Sequence, residues 1–482
     1  MQKRTLWSVW LVAALSAGTA MSQPKEDVIR GIDALAEDYA GIAQQIWDYA
    51  EVGYLETQSS ELLQRTLRDA GFTVEAGVAG MPTAFAASYG SEEPIIGILA
   101  EFDALPGISQ DRAPERKVLT EKGAGHACGH HLFGTGSVAA AIGVKEWLER
   151  TGTRGSVRLY GTPAEEGGAG KVYMVRAGLF SDVDTILTWH AGDRNTASAR
   201  GSLANKSAKF RFYGLSAHAA GAPERGRSAL DGVEAMNAMV NMLREHVPQE
   251  TRIHYVITAG GAAPNVVPDF AEVYYYVRNP DPRNVMAIFD RVVKAAEGAA
   301  LGTETRMDYE VIHGLYALLP NETLARTMNE NLKRVGGVEY TAEETKFGEM
   351  IQQSFTGNVP PLSSAAEIEE FYVTDEASGG STDVGDVSWV VPTAGMRAAT
   401  YVPGTPGHSW QAIAAGGTTI GNKGMMVAAK TLTLTAIELF ENPAIVSEAK
   451  RERERRVGSD FVYESVVGDR PPPLDYRKPA TQ

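Results

Sequence analysis

Residues 94–103 read PIIGILAEFD. Pro94 to Ala100 is a short apolar run of the buried-strand type, and it ends abruptly at Glu101-Phe102-Asp103. A Gly-rich loop follows, then an Ala-rich helical pattern from about Gly136 to Leu148. Val157–Tyr160 and Thr185–Thr188 repeat the pattern of a short apolar run closed by polar residues. Strands alternating with helices predict an α/β layer with a mostly parallel sheet flanked by helices. Ligands of such sheets sit at the carboxyl ends of the strands, and the polar clusters of this chain follow those strands.

Outward from this core the texture changes. Upstream, Ile29, Ile32, Leu35, Tyr39, Ile42, Ile46 and Tyr49 recur at helical spacing, which predicts one long amphipathic helix over 27–50. Downstream, Lys209–Tyr213, Ile253–Thr258 and Ala271–Arg278 read as strands, with helices over Ala229–Glu245 and Asn284–Ala300. They predict a small α+β insert over 204–312 within a larger domain built from 23–203 and 313–447. The acidic, Ser-rich stretch Thr341–Gly380 reads as a lid-like excursion. The tail 448–482, charged at KRERERR and then Pro-rich, reads as a solvated helix end and a loose terminus. At the other end, Lys3 and Arg4 precede an apolar run, Leu6–Ala17, and Ala20-Met21-Ser22. That is the pattern of a secretory signal peptide over 1–22, so a periplasmic or secreted protein is expected, with no membrane span after cleavage. The alternative is an uncleaved anchor helix.

The 482 residues carry 45 Lys plus Arg against 60 Asp plus Glu, a formal charge of −15. An acidic chain repels phosphates, so nucleic acid is excluded as a partner. With 44% hydrophobic and 22% charged residues, disorder is excluded as the main state. A single cysteine cannot form an intramolecular disulfide.

Four small clusters carry the chemistry. Gly125-His126-Ala127-Cys128-Gly129-His130-His131 puts thiol and imidazole two residues apart between strand and helix, a donor set for one transition ion or two adjacent ones. Glu165-Glu166 follows the strand at 157–160, and paired carboxylates can divide the roles of metal ligand and general base. His190 follows the strand at 185–188, and His408 sits in the turn-rich loop GTPGHS. Each signal is weak alone; their joint occurrence at strand ends is much stronger.

The chain resembles the co-catalytic metallopeptidase and amidohydrolase family that includes aminoacylases, hippurate hydrolases and plant auxin-conjugate hydrolases. The resemblance runs from about residue 27 to 445 on AEFDALPG (100–107), GHACGHHLFGT (125–135), YGTPAEEGGAGK (160–171), SAHAA (216–220), PNVV (264–267), GGSTDVGDVSW (379–389) and GTPGHSWQ (404–411). Two of these stretches, EFDALPG and STDVGDVSW, look like its aminobenzoyl-glutamate branch. The resemblance implies a zinc-peptidase-like catalytic domain with an inserted lid and dimerisation domain. It implies Cys128, His130, Glu166, His190 and His408 as ligands of two divalent ions, Mn²⁺ or Zn²⁺, and Glu165 as general base. Asp103 would support a ligand, His218 would reach a partner subunit's site and polarise the scissile carbonyl, and Asn265 and Arg278 would grip the substrate carboxylate and backbone. His131 departs from the pattern, since many relatives carry Asp or Asn there. The implied enzyme is an exported metal-dependent amidohydrolase of N-acyl or N-aroyl amino acids, with an aminobenzoyl-glutamate-like substrate favoured. It would work as a homodimer, with a related second subunit as a further partner. The rival readings are a dipeptidase or other N-acyl amino acid hydrolase, and a catalytically silent binding protein of the same fold.

Overall fold

The apolar run at 94–100 forms a strand, and the other short runs line up beside it. The computed structural model describes residues 23–374 and 380–478, so the expected signal peptide lies outside the described residues. Helices α1 (Gln23–Ala34), α2 (Ala36–Tyr49) and α3 (Thr57–Asp69) lead into strands β1 (Thr73–Ala76), β2 (Phe85–Tyr89) and β3 (Ile95–Ala100). Helix α4 (His130–Thr151), β4 (Ser156–Gly161), α5 (Gly170–Arg176), β5 (Thr185–Gly192) and the short β6 (Ala199–Arg200) follow. Next come β7 (Ala204–Tyr213), α6 (Ala229–Leu243), β8 (Arg252–Ala259), β9 (Phe270–Asn279), α7 (Pro282–Gly302) and β10 (Arg306–Leu315). The chain continues through α8 (Glu322–Val335), α9 (Ala342–Gln352), β11 (Val373–Thr374), α10 (Val384–Val390) and β12 (Thr393–Ala399). Helices α11 (Trp410–Gly416), α12 (Thr419–Glu441) and α13 (Pro443–Val457) end the regular structure.

The first sheet has the order β1-β2-β4-β3-β5-β12. Its β4-β3-β5-β12 part is parallel, and β1 and β2 add an antiparallel edge. Ile96, Ile98 and Leu99 of β3 are fully buried, as the apolar run requires. The parallel strands end on the same side, which brings Asp103, Glu165, Glu166 and His190 together. Helix α4 starts on that side too. It seats closely because Gly134 has no side chain: an added Cβ would lie 2.8 Å from the Glu101 carbonyl oxygen.

The second sheet, β10-β7-β9-β8, is antiparallel and packs Phe210, Phe212 and Val273 against Val233 and Phe289 of α6 and α7. One of its edges is β8, where Tyr255, Val256 and Ile257 are exposed.

Four expectations change. The predicted helix over 27–50 is two, because Leu35 leaves helical dihedrals and its N–H turns back to the Ile32 carbonyl. Strand β10 is an element that the sequence reading did not name, although charged Arg306, Asp308 and Glu310 alternate with Met307, Tyr309 and Val311; Arg211 of β7 pairs with Glu310. The lid-like excursion is packed where described: a capping box of Thr341 and Glu344 starts α9, and Ile351 sits in a core with Val402 and Ile420. The tail is not loose either. Val466 and Val467 are buried, and residues 458–478 run back over the main domain.

Candidate metal centre

Cys128 lies in the loop that enters α4, and His130 is the first residue of that helix. His190 is within β5, Glu166 follows β4, and His408 stands at φ +59° in the loop before α11. Backbone bonds fix these loops to each other, the His408 N–H donating to the Ala127 carbonyl over 3.1 Å. Two donor sets result. Cys128, His130 and His190 form one, and Cys128, Glu166 and His408 form the other, with donor atoms within 4.8 Å of one another in each. Cys128 belongs to both.

The donor set fits divalent ions on three counts. His190 Nδ1 donates to the Ala191 carbonyl at 2.7 Å, which leaves the Nε2 lone pair facing Cys128 Sγ at 3.4 Å. His130 Nδ1 is engaged by Asp103 Oδ1 at 2.9 Å, the arrangement that orients a ligating imidazole. His130 Nε2 and Glu166 Oε1 are buried and face other charged groups of the cluster, Glu101 Oε2 at 3.1 Å and His408 Nε2 at 3.2 Å, so donors and carboxylates converge there. Burial holds the His190 ring at a pKa of about 3, so it is a neutral donor, and burial pushes the Cys128 thiol up.

Glu165 lies beside this cluster, in a third group with Glu101 and His130. Burial, and behind it the Glu101 and Glu166 carboxylates, pushes Glu165 well above the usual carboxylate range.

The other histidines of the first cluster serve the scaffold. His126 Nε2 meets the Ile46 carbonyl and His131 Nε2 the Gly416 carbonyl, each at 3.0 Å. Their rings pack at 4.9 Å, and burial lowers both pKa values, that of His126 to about 4. His131 is therefore turned away from the donor sets.

A cavity of about 510 Å³ opens on the cluster and is lined by Cys128, Glu165, Glu166, His190 and His408. Neither His218 nor Asn265 lines it. Both are exposed, and they adjoin: the Ala219 N–H donates to the Asn265 carbonyl over 3.0 Å. His218 Nδ1 accepts the Gly221 N–H at 3.0 Å, leaving Nε2–H free to donate. Arg278 of β9 donates to Ser381 Oγ at 3.3 Å, and Ser381 lines the cavity.

Several residues of the site escape a reading of the sequence. Lys171, fully buried, places Nζ 2.7 Å from Glu101 and 2.6 Å from Asp383. Glu56, also buried, accepts the Ala164 N–H at 2.8 Å and the Thr83 hydroxyl at 3.0 Å. Arg200 and Arg397 line the cavity with no ion-pair partner among the described residues. Glu101, Lys171 and Asp383 all lie inside the motif stretches quoted above, which is the available signal.

The model of peptidase family M20/M25/M40 matches residues 97–411. The chain belongs to this family. Membership makes it an amidohydrolase of the metallopeptidase type, acting on C–N amide bonds. It is 43% identical over 453 residues to the B subunit of p-aminobenzoyl-glutamate hydrolase of Escherichia coli (strain K12), covering 88% of this chain and 93% of that one. It is 29% identical to the Xaa-Arg dipeptidase of Mus musculus, covering 91% and 94%. Among solved structures, the YXEP protein of Bacillus subtilis, described as a dinuclear metal-binding peptidase of the M20 family, superposes with a TM-score of 0.58 at 18% identity. The match covers 85% of this chain and 99% of that one. The resemblance read from the motifs, and the α/β fold it implied, are borne out.

Proposed function

We propose that this M20 chain hydrolyses the amide of an N-acyl or N-aroyl amino acid whose amino acid is dicarboxylic, an aminobenzoyl-glutamate-like substrate being the first choice. The observation that carries this choice is the pair Arg200 and Arg397 in the wall of the metal cavity. Arg397 is the register partner of His190 across β12 and β5, and both residues line the cavity. Two unpaired guanidiniums attract carboxylates, which they match with forked donors, and they repel a cationic residue. The similarity to the Xaa-Arg dipeptidase favours a second reading, a dipeptidase for basic residues, which the same arginines oppose. A silent binding protein is disfavoured by an intact Glu165.

In this reading Cys128, His130, Glu166, His190 and His408 hold two divalent ions, Mn²⁺ or Zn²⁺. When bound, such ions lower the pKa of water towards about 7 and polarise a carbonyl. Glu165 takes the proton from the attacking water and delivers it to the leaving amine. Asp103 keeps His130 in its ligating tautomer. Arg278 and Asn265 hold the substrate's carboxylate and backbone, and His218, which does not line the cavity of its own chain, donates its Nε2–H to the scissile carbonyl in the site of a second copy. The pattern over 1–22 supports export, and the exposed edge at β8 supports a dimer through the insert. The relative from Escherichia coli is one of two named subunits of its hydrolase, which supports a related second subunit here.

Glu165→Gln tests the core of the proposal. It should abolish turnover while metal content stays near two per chain, because Gln cannot accept the proton. Turnover within tenfold of the parent would remove Glu165 from the mechanism. A panel of N-aroyl glutamate, N-acyl lysine and N-acyl alanine tests specificity. Arg397→Met should lower kcat/KM for the glutamate conjugate about tenfold or more and spare the alanine conjugate.

A further inference from the structure

The tail assigned to solvent by its composition ends against the catalytic loop. We propose that this segment, residues 458–478, is a strap that holds the metal ligand Glu166 in position, with Tyr476 and Arg477 acting as positioning residues through the Glu166 carbonyl.

The loop needs such support. Ala164 and Ala169 stand at φ +58° and +57°, and Gly167 at +95°. Left-handed non-glycine residues are held by their surroundings and not by local preference. The Glu166 peptide is gripped on both sides. Its N–H donates to Asp103 Oδ2 at 3.0 Å. Its carbonyl accepts the Tyr476 hydroxyl at 3.0 Å and a guanidinium N–H of Arg477.

Both tail residues are seated for this contact. The Tyr476 ring meets Tyr54 edge-on at 5.7 Å, and the Arg477 guanidinium lies over the Tyr476 ring at 4.6 Å. Gly53 leaves room for the hydroxyl, since an added Cβ would come within 2.3 Å of it.

The strap is also anchored along its length. Tyr463 donates to Asp386 at 2.7 Å, and Arg176 donates to the Gly468 and Arg470 carbonyls at 2.7 Å each. Arg470 reaches the Ile312 carbonyl of β10 at 2.9 Å. One segment thus ties the last strand of the second sheet to a ligand of the metal cluster.

The proposal rests on Glu166 being a ligand, and the test separates the two. Zn²⁺ is titrated into the metal-free full chain by calorimetry, with melting temperature recorded on the metal-free protein. In Tyr476→Phe/Arg477→Met, one binding step should weaken about tenfold or more, the usual loss when a ligand's supporting partner is removed. The other step should stay within about threefold, and the metal-free melting temperature should fall only slightly, as for the loss of two part-buried hydrogen bonds. Tyr476→Phe alone keeps the ring on Tyr54 and should weaken the same step about threefold. Glu166→Ala marks which step belongs to Glu166. If Glu166→Ala weakens a step that both tail variants leave intact, the ligand stands and the strap proposal is overturned. Equal weakening of both steps with a larger fall in melting temperature also overturns it, since that is general destabilisation. If Glu166→Ala changes neither step, the ligand reading fails and takes the proposal with it.

Discussion

Cys128 contributes its sulfur to both donor sets, so on the proposed assignment a substitution there would act on both ion sites at once. Cys128→Ser should lower metal content at both steps, because a hydroxyl is a poor ligand where a thiolate stood. Full occupancy with full activity in that variant would falsify the assignment. Glu56 offers a different test. Burial, and behind it the Asp103 charge, raises it to a pKa of about 8 in the folded, metal-free chain. A carboxyl raised above its unfolded value binds more protons when folded. Its contribution is complete below about pH 4.5 and is lost as pH rises through about 8. Metal-free wild type should therefore lose stability from pH 5 to 8 relative to Glu56→Gln, by up to about 1.4 kcal/mol per pH unit. Parallel melting curves across that range would remove the effect. The clusters that hold the five expected ligands stand out in the sequence because few residue types bind such ions, and the choice among their donors came from the family resemblance. Glu56, Lys171 and Arg397 do not stand out, because their types are usually solvated and only tertiary packing turns them inward.

Among the elements, α5 and α10 are joined by a charge that the sheet encloses. Lys171 of α5 pairs with Glu101 after β3 and with Asp383, the residue preceding α10, and its own N–H donates to Asp383 at 2.9 Å. Removing the ammonium leaves two buried carboxylates facing each other. Lys171→Met should cost about 3–5 kcal/mol in urea denaturation; a loss under about 1 kcal/mol would show the pair is not coupled through Lys171. Short apolar strands such as β3 and β5 were legible because burial on both faces demands unbroken hydrophobic runs. Strand β10 went unnamed because it lacks such a run, although its charges alternate with Met307, Tyr309 and Val311. The division of α1 from α2 was hidden for the opposite reason. Its apolar spacing continues across Leu35 although the backbone does not.

At the level of the whole molecule, the insert reaches the cavity wall through Arg278 but not through His218. His218 is exposed and lies outside the cavity wall. If His218 serves the site of a second copy, His218→Ala should lower kcat about 10²–10³-fold with metal content unchanged. Mixing that variant with Glu165→Gln should restore activity, because a mixed dimer holds one site with both residues intact. A dead mixture, with subunit exchange verified by size-exclusion of labelled chains, would end the trans arrangement.

The strap also sets an order on the birth of the site. Every expected ligand from Cys128 to His408 precedes Tyr476 and Arg477 along the chain. At about 5–20 residues per second, translation from His408 to Tyr476 takes several seconds. During that interval a nascent chain owns all five donors and lacks the clasp on Glu166. The clasp on Glu166 is therefore the last of these groups to be made.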